Sequence, residues 1–139
     1  MRPTVPAPLP HLDRGLLILR IVTGAVFAAH GWQKLFTYGV EGVTAGFTKM
    51  GVPIPGFTGP AVGVLELAGG ILLIVGLFGR AIPVLLAIDM LGAIVFVHFK
   101  NGFFMPTGYE FVLLLLGASM ALSLSGPGQI SLDTLRARR

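Results

Sequence analysis

The chain has 139 residues, of which 54% are hydrophobic and 12% charged, and a mean hydropathy of +0.86. A soluble domain is roughly 45–50% apolar and about 25% charged, and a soluble fold of this size has too little interior to hide the excess, so one domain embedded in lipid is expected. Zero cysteines exclude disulfides, thiolate metal sites and thiol redox chemistry carried by the chain itself, and the net charge of +4 sits near helix ends with a small group at Arg136, Arg138 and Arg139, a pattern of topology and anionic lipid contact and not of nucleic-acid binding.

Residues 1–14 hold four prolines and no apolar period, which predicts an extended tail. Residues 15–36 form the first apolar segment, about 33 Å long as a helix against a hydrocarbon core of about 30 Å. Trp32 and Phe36 sit at one end of it as interfacial anchors. A signal peptide is the rival reading of this segment; its length, Arg20 and the preceding prolines argue against it.

Residues 37–59 are rich in Gly, Pro and Thr. Within them Val43, Phe47 and Met50 fall at i, i+4 and i+7, predicting a short amphipathic interfacial helix over 41–50. Pro53 and Pro55 then impose an extended turn. A second span is expected over 60–78, opened by Pro60, and Gly79-Arg80 make a tight turn into a third over 81–99. Residues 100–108 read as a loop, 109–125 as the fourth and shortest span, and 126–139 as a polar, basic tail.

The fold class that follows is an all-α integral membrane protein. Its architecture is an antiparallel four-transmembrane-helix bundle with a short interfacial helix between helices 1 and 2. With four spans the termini share a side. Arg2, Arg14, Arg80, Arg136, Arg138 and Arg139 lie on that side, and Lys34, Lys49 and Lys100 on the other, so the positive-inside rule puts both termini in the cytoplasm.

Charged groups at membrane depth are costly and need a partner or a role. Counting rise along each helix places His30, Lys34, Glu66, His98 and Glu110 at similar depth in the outer half, from four different helices. They can converge on one pocket below the outer surface. In the inner half, Arg20 is expected to reach Asp89 as a structural ion pair that fixes helix register. Asp89 and His98 are nine apart, about 180° round a helix, and so should serve different neighbours.

Two uses of the outer cluster are consistent with its chemistry. One is a satisfied polar network that holds the bundle. The other is a pocket for a polar headgroup such as a quinone. A metal site fits less well: two His and two carboxylates suit zinc or iron, but the helical Glu-x-x-His pair of di-iron bundles is absent, and Lys34 and Lys100 would repel a cation. No metal is therefore assigned. The motifs of soluble hydrolases, nucleotide-binding proteins and zinc proteases are missing.

Several blocks in order resemble one family. LRIVTGAVFAAHGWQKLF (19–36), GVPIP (51–55), VLELAGGILLIVGLFGR (64–80), HFKNGFF (98–104), YEFVLLLL (109–116) and GPGQISLD (126–133) are similar to DoxX-type membrane proteins over about residues 16–133. The resemblance implies a four-helix protein of the bacterial inner membrane, in a superfamily linked to membrane redox. Members of that superfamily include a subunit of a thiosulfate:quinone oxidoreductase and proteins associated with superoxide dismutase and a sulfurtransferase. The recurring polar positions of the family match His30, Gln33, Lys34, Glu66, His98, Asn101 and Glu110 here.

Two functions are expected from these readings. The first is a membrane subunit of a redox or oxidative-stress assembly that binds quinone in the outer pocket, with other subunits as partners. The second is a non-catalytic scaffold that docks a partner through 37–59 and the 100–108 loop, with Phe99, Phe103 and Phe104 near the interface. A small-solute transporter is a poorer fit, since four short helices without an inverted repeat or broken helix make a weak alternating-access device.

Overall fold

The computed structural model describes residues 10–139. All of its regular structure is helical among those residues. The first helix, α1, runs Pro10–Trp32 and begins inside the stretch expected to be tail. Pro10 stands at the first helical position, where its missing N–H costs nothing, and Asp13 lies in the first turn beside the positive end of the helix dipole. The rest of the expected tail, residues 1–9, lies outside the described residues.

A π-helical turn, Gln33–Thr37, prolongs α1. The short helix α2, Gly39–Met50, follows and ends on Gly51 at φ 76°, a left-handed C-cap. It covers the predicted interfacial helix and packs its Val43 on α3 at Gly59. Helix α3 runs Pro55–Val75 and starts a turn earlier than expected, because Pro55 itself occupies the first turn and the Thr58 hydroxyl donates back to the carbonyls of Pro53 (2.9 Å) and Ile54 (3.0 Å). After the Gly76–Arg80 turn come α4, Ala81–Ala93, a second π turn, Ile94–His98, and a 3-10 turn, Phe99–Asn101. Helix α5 is Glu110–Ser125 and α6 is Leu132–Ala137.

Helix α3 is the hub. It lies against α1, α2 and α4, while α4 packs on α5 and α5 closes the ring on α1. The α1–α3 contact is the most extensive because glycines let the two backbones touch. A Cβ on Gly24 would stand 2.6 Å from the Gly70 carbonyl, and one on Gly31 would stand 2.7 Å from the Gly63 carbonyl. Each pair is seven residues apart on its helix, so two close approaches share one face. The buried core is Phe27, Leu73, Leu86, Met90, Val112, Leu115 and Leu122. The outer faces are also apolar: Val22, Ile71, Ile88, Leu91, Leu114 and Leu124 are all exposed. Pro55–Val75 and the continuous stretch Ala81–Asn101 are long and apolar enough to cross a membrane, and Glu110–Ser125 is apolar but shorter.

Two expectations about the base of the bundle need correction. Arg20 does not pair with Asp89. Its guanidinium, 2% exposed, donates to the carbonyls of Ile130 (2.8 Å), Ile74 (3.3 Å) and Pro127. Helices α1 and α4 are not neighbours in the ring, and Arg20 lies level with the end of α3, whereas Asp89 is about 12 Å along α4 from its start. Nor is 126–139 a free polar tail. Its main chain returns across the bundle base and is held there. Asp133 accepts from the N–H groups of Phe78 (3.1 Å) and Gly79 (2.7 Å), the Gln129 N–H donates to Asp13 (2.9 Å), and Arg80 donates to the last carbonyls of α5 at Leu124 (2.9 Å). Gly76 makes room for this return: at φ 73°, a Cβ there would stand 2.8 Å from the Arg20 guanidinium carbon. Ser131 caps α6 by accepting from the Thr134 N–H (3.3 Å).

Candidate functional site

At the opposite end from this clasp, the helices enclose a cavity of about 780 Å³. Its floor is apolar, made by Phe27 of α1, Met90 of α4 and Val112 and Leu115 of α5. Its roof comes from two connections: Phe47, Met50, Val52 and Pro53 at the α2–α3 junction, and Met105, Pro106 and Gly108 before α5. Into this apolar volume project His30, Lys34, Glu66, Asp89 and His98. Size and lining are those of a small-molecule pocket, a largely hydrophobic cleft with a few convergent polar groups.

The polar groups have distinct anchors. Lys34 lies in the first π turn and donates to Glu66 of α3, the one salt bridge among the described residues. Their side chains are 19% and 5% exposed, so the pair is largely withdrawn from water. The Asp89 carboxyl neighbours Glu66 and Lys34 closely enough to interact with both, and its Oδ2 is buried without a partner. His98 ends the second π turn, and its Nδ1 lies 2.9 Å from the Thr107 carbonyl. A carbonyl only accepts, so Nδ1 carries the proton, and in the neutral ring Nε2 is an acceptor. The same Thr107 carbonyl receives the Asn101 amide (3.3 Å), which ties the roof loop to the end of α4. The His30 ring stands at 6.1 Å, tilted, from that of Phe111 across the α1–α5 gap.

Of the five residues assigned to one pocket by depth, the structure brings His30, Lys34, Glu66 and His98 together. Glu110 is placed differently. It does not line the cavity; its Oε1 accepts from the Met105 N–H (2.6 Å) and so braces the roof loop. Asp89, expected to turn away toward Arg20, faces the cavity instead. The reason is the π turn over Ile94–His98. One extra residue in a turn offsets the register by about 100°, so Asp89 and His98 differ by about 80° and not about 180°. Among the described residues no three His, Cys, Asp or Glu side chains gather as a metal-ion set.

The described residues thus form a small all-helical fold with membrane-length apolar helices and a polar-lined cavity under two loops. A family model named DoxX matches residues 15–99, and the chain belongs to the DoxX family. It is 36% identical to CatD of Bacillus subtilis, provisionally named an oxidoreductase, over 86% of this chain and 84% of the relative. It is 33% identical to an uncharacterized membrane protein of Mycobacterium tuberculosis, over 89% and 82%. It is 30% identical to the inner membrane protein YphA of Escherichia coli, over 85% and 87%. No solved structure matches the chain.

Proposed function

We propose that this chain is a multi-pass protein of the bacterial inner membrane that binds a quinone headgroup in the cavity, as a membrane subunit of a redox assembly. The observation that carries the reading is the cavity itself. An apolar chamber of about 780 Å³ with an ion pair, a second carboxyl group and two imidazoles on its wall suits a ring with polar substituents and an apolar tail. Ionisable groups kept in such surroundings are costly unless they have a role. The provisional oxidoreductase name of the Bacillus relative and the inner-membrane names of the Escherichia coli relatives agree with it.

In this reading four helices cross the bilayer and both termini face the cytoplasm, with the clasp of 126–137 on the inner side and the cavity in the outer leaflet. The topology is testable by single-cysteine labelling, which a cysteine-free chain makes clean. A cysteine at Gly102 should react with an impermeant reagent added outside intact cells, and one at Arg138 should not.

The function is tested by mass spectrometry of the protein gently extracted from its native membrane. A stoichiometric quinone that is lost in Glu66→Gln is expected. A partner chain recovered with no small molecule would overturn the quinone reading in favour of a docking subunit. In that case the exposed Phe99 and Phe104 of the cavity end would be the natural contact surface.

A further inference from the structure

The cavity wall offers more than a place for a ring; it has a hydrogen-bonding polarity. His98 donates from Nδ1 to Thr107 and therefore presents Nε2 as an acceptor. Asp89 Oδ2 is buried with no hydrogen-bond partner, and Lys34, the ammonium nearby, gives one of its three N–H groups to Glu66. An ionised Asp89 only accepts. If one proton bridges Asp89 and Glu66, the remaining Asp89 oxygen still only accepts. Asp89 of α4 and His98 of the π turn that follows it thus present acceptors at the two ends of one wall of the cavity. The eight residues between them span about 12 Å along the axis, room for one aromatic ring with a hydrogen bond at each end.

An oxidised quinone has carbonyl oxygens, which are acceptors as well. Its oxygen at the Asp89 end can accept from a free N–H of Lys34, as the quinol oxygen can, but it offers no donor to Asp89, and at the other end it sets lone pair against lone pair at His98. A hydroquinone reverses this. One hydroxyl can donate to Asp89 while its oxygen accepts from a free N–H of Lys34, and the other can donate to His98 Nε2. Leaving a buried acceptor facing an acceptor forfeits the hydrogen bond and the desolvation of both groups.

We propose that the cavity selects the reduced ligand, a hydroquinone whose two hydroxyl groups donate to Asp89 and His98, over the corresponding quinone. The inference rests on the quinone reading above and adds the redox state that the site prefers. By linkage, a site with this bias stabilises the reduced form: it holds quinol, makes a bound quinone easier to reduce, and releases quinone more readily than quinol.

The test is equilibrium binding of decylubiquinol and decylubiquinone to the purified full chain in nanodiscs, under anaerobic conditions, read by quenching of Trp32 or by calorimetry. Wild type should bind the quinol at least tenfold more tightly. Asp89→Asn exchanges an acceptor for a group that can also donate, and should bring the two affinities within about twofold or reverse their order. His98→Phe should lower quinol affinity and leave quinone affinity little changed, and it supplies the answer if Asp89→Asn does not fold. Equal or tighter binding of the quinone by wild type, or a ratio that neither variant shifts, overturns the preference and leaves quinone binding standing. Saturable binding of neither form overturns the quinone reading itself, and the preference with it.

Discussion

Arg20 is the best place to test how the base of the bundle is built. Its buried guanidinium serves three main-chain carbonyls, two of which, Pro127 and Ile130, belong to the returning segment. Hydrogen bonds to a charged group contribute about 1.5–3 kcal/mol each. Arg20→Met keeps most of the apolar stem and removes the two bonds to the segment, a loss of about 3–6 kcal/mol. That is as much as the docking of a dozen residues can hold, so the expected result is release of the segment and not unfolding of the four long helices. Hydrogen exchange followed by mass spectrometry should show residues 126–137 losing protection while Gly63–Leu73 keeps it. The same substitution in a chain ending at Ser125 should cost far less, since the acceptors are already gone. Unchanged protection of 126–137 in Arg20→Met, or equal costs in the full and shortened chains, would refute the account of Arg20 as the anchor of this clasp.

Other consequences follow from the cavity and the helix contacts. Lys34→Met leaves the nearly buried Glu66 without its cation and should destabilise by about 3–5 kcal/mol, whereas Lys34→Met with Glu66→Leu should recover most of that loss; thermal unfolding in detergent completes the cycle. Gly31→Val drives a side chain into the backbone of α3 at Leu67 and Gly63, which cannot step aside, and should cost about 3 kcal/mol or more, seen as loss of monodisperse protein. Gly117→Ala, with nothing within 4 Å of the new methyl group, should instead stabilise by about 0.5–1 kcal/mol. Glu110→Gln weakens the brace on the Met105 N–H from a charged to a neutral hydrogen bond, and should speed ligand dissociation several-fold in stopped-flow measurements with little change in thermal stability.

Much of this architecture is written in local chemistry. Apolar runs of membrane length, the Gly79-Arg80 turn and the i, i+4, i+7 pattern of Val43, Phe47 and Met50 each mark an element that the structure contains. Depth counting also grouped His30, Lys34, Glu66 and His98, because rise per residue depends little on helix detail. What escaped was angular and main-chain information. Spacing alone turns Asp89 away from His98, because a π turn changes the register without a compositional signature. Charge alone points Arg20 at a carboxylate, because its true acceptors are backbone carbonyls, which every residue carries and no sequence advertises. The returning segment is more legible than either. Ser131 three residues before Thr134, with Asp133 in the first turn, is a helix start that Gly and Pro on its N-terminal side obscured.

The two π turns give the number of residues in α1 and α4 a meaning apart from which residues they are. Each turn holds one residue more than a regular helix would use over the same rise. Removing a single residue from Ile94–His98 would let the ladder close as ordinary α-helix, a gain in backbone bonding. It would leave His98 and the loop that follows facing the chamber, because eight regular residues after Asp89 turn by about 80°, the angle that nine residues with the π turn already give. A helix shortened there should therefore be sturdier and still hold its ligand. The π turns are thus the places where these helices can give up a residue, as loops do, whereas a deletion in a regular turn, with no extra residue to release, would rotate everything after it by about 100°.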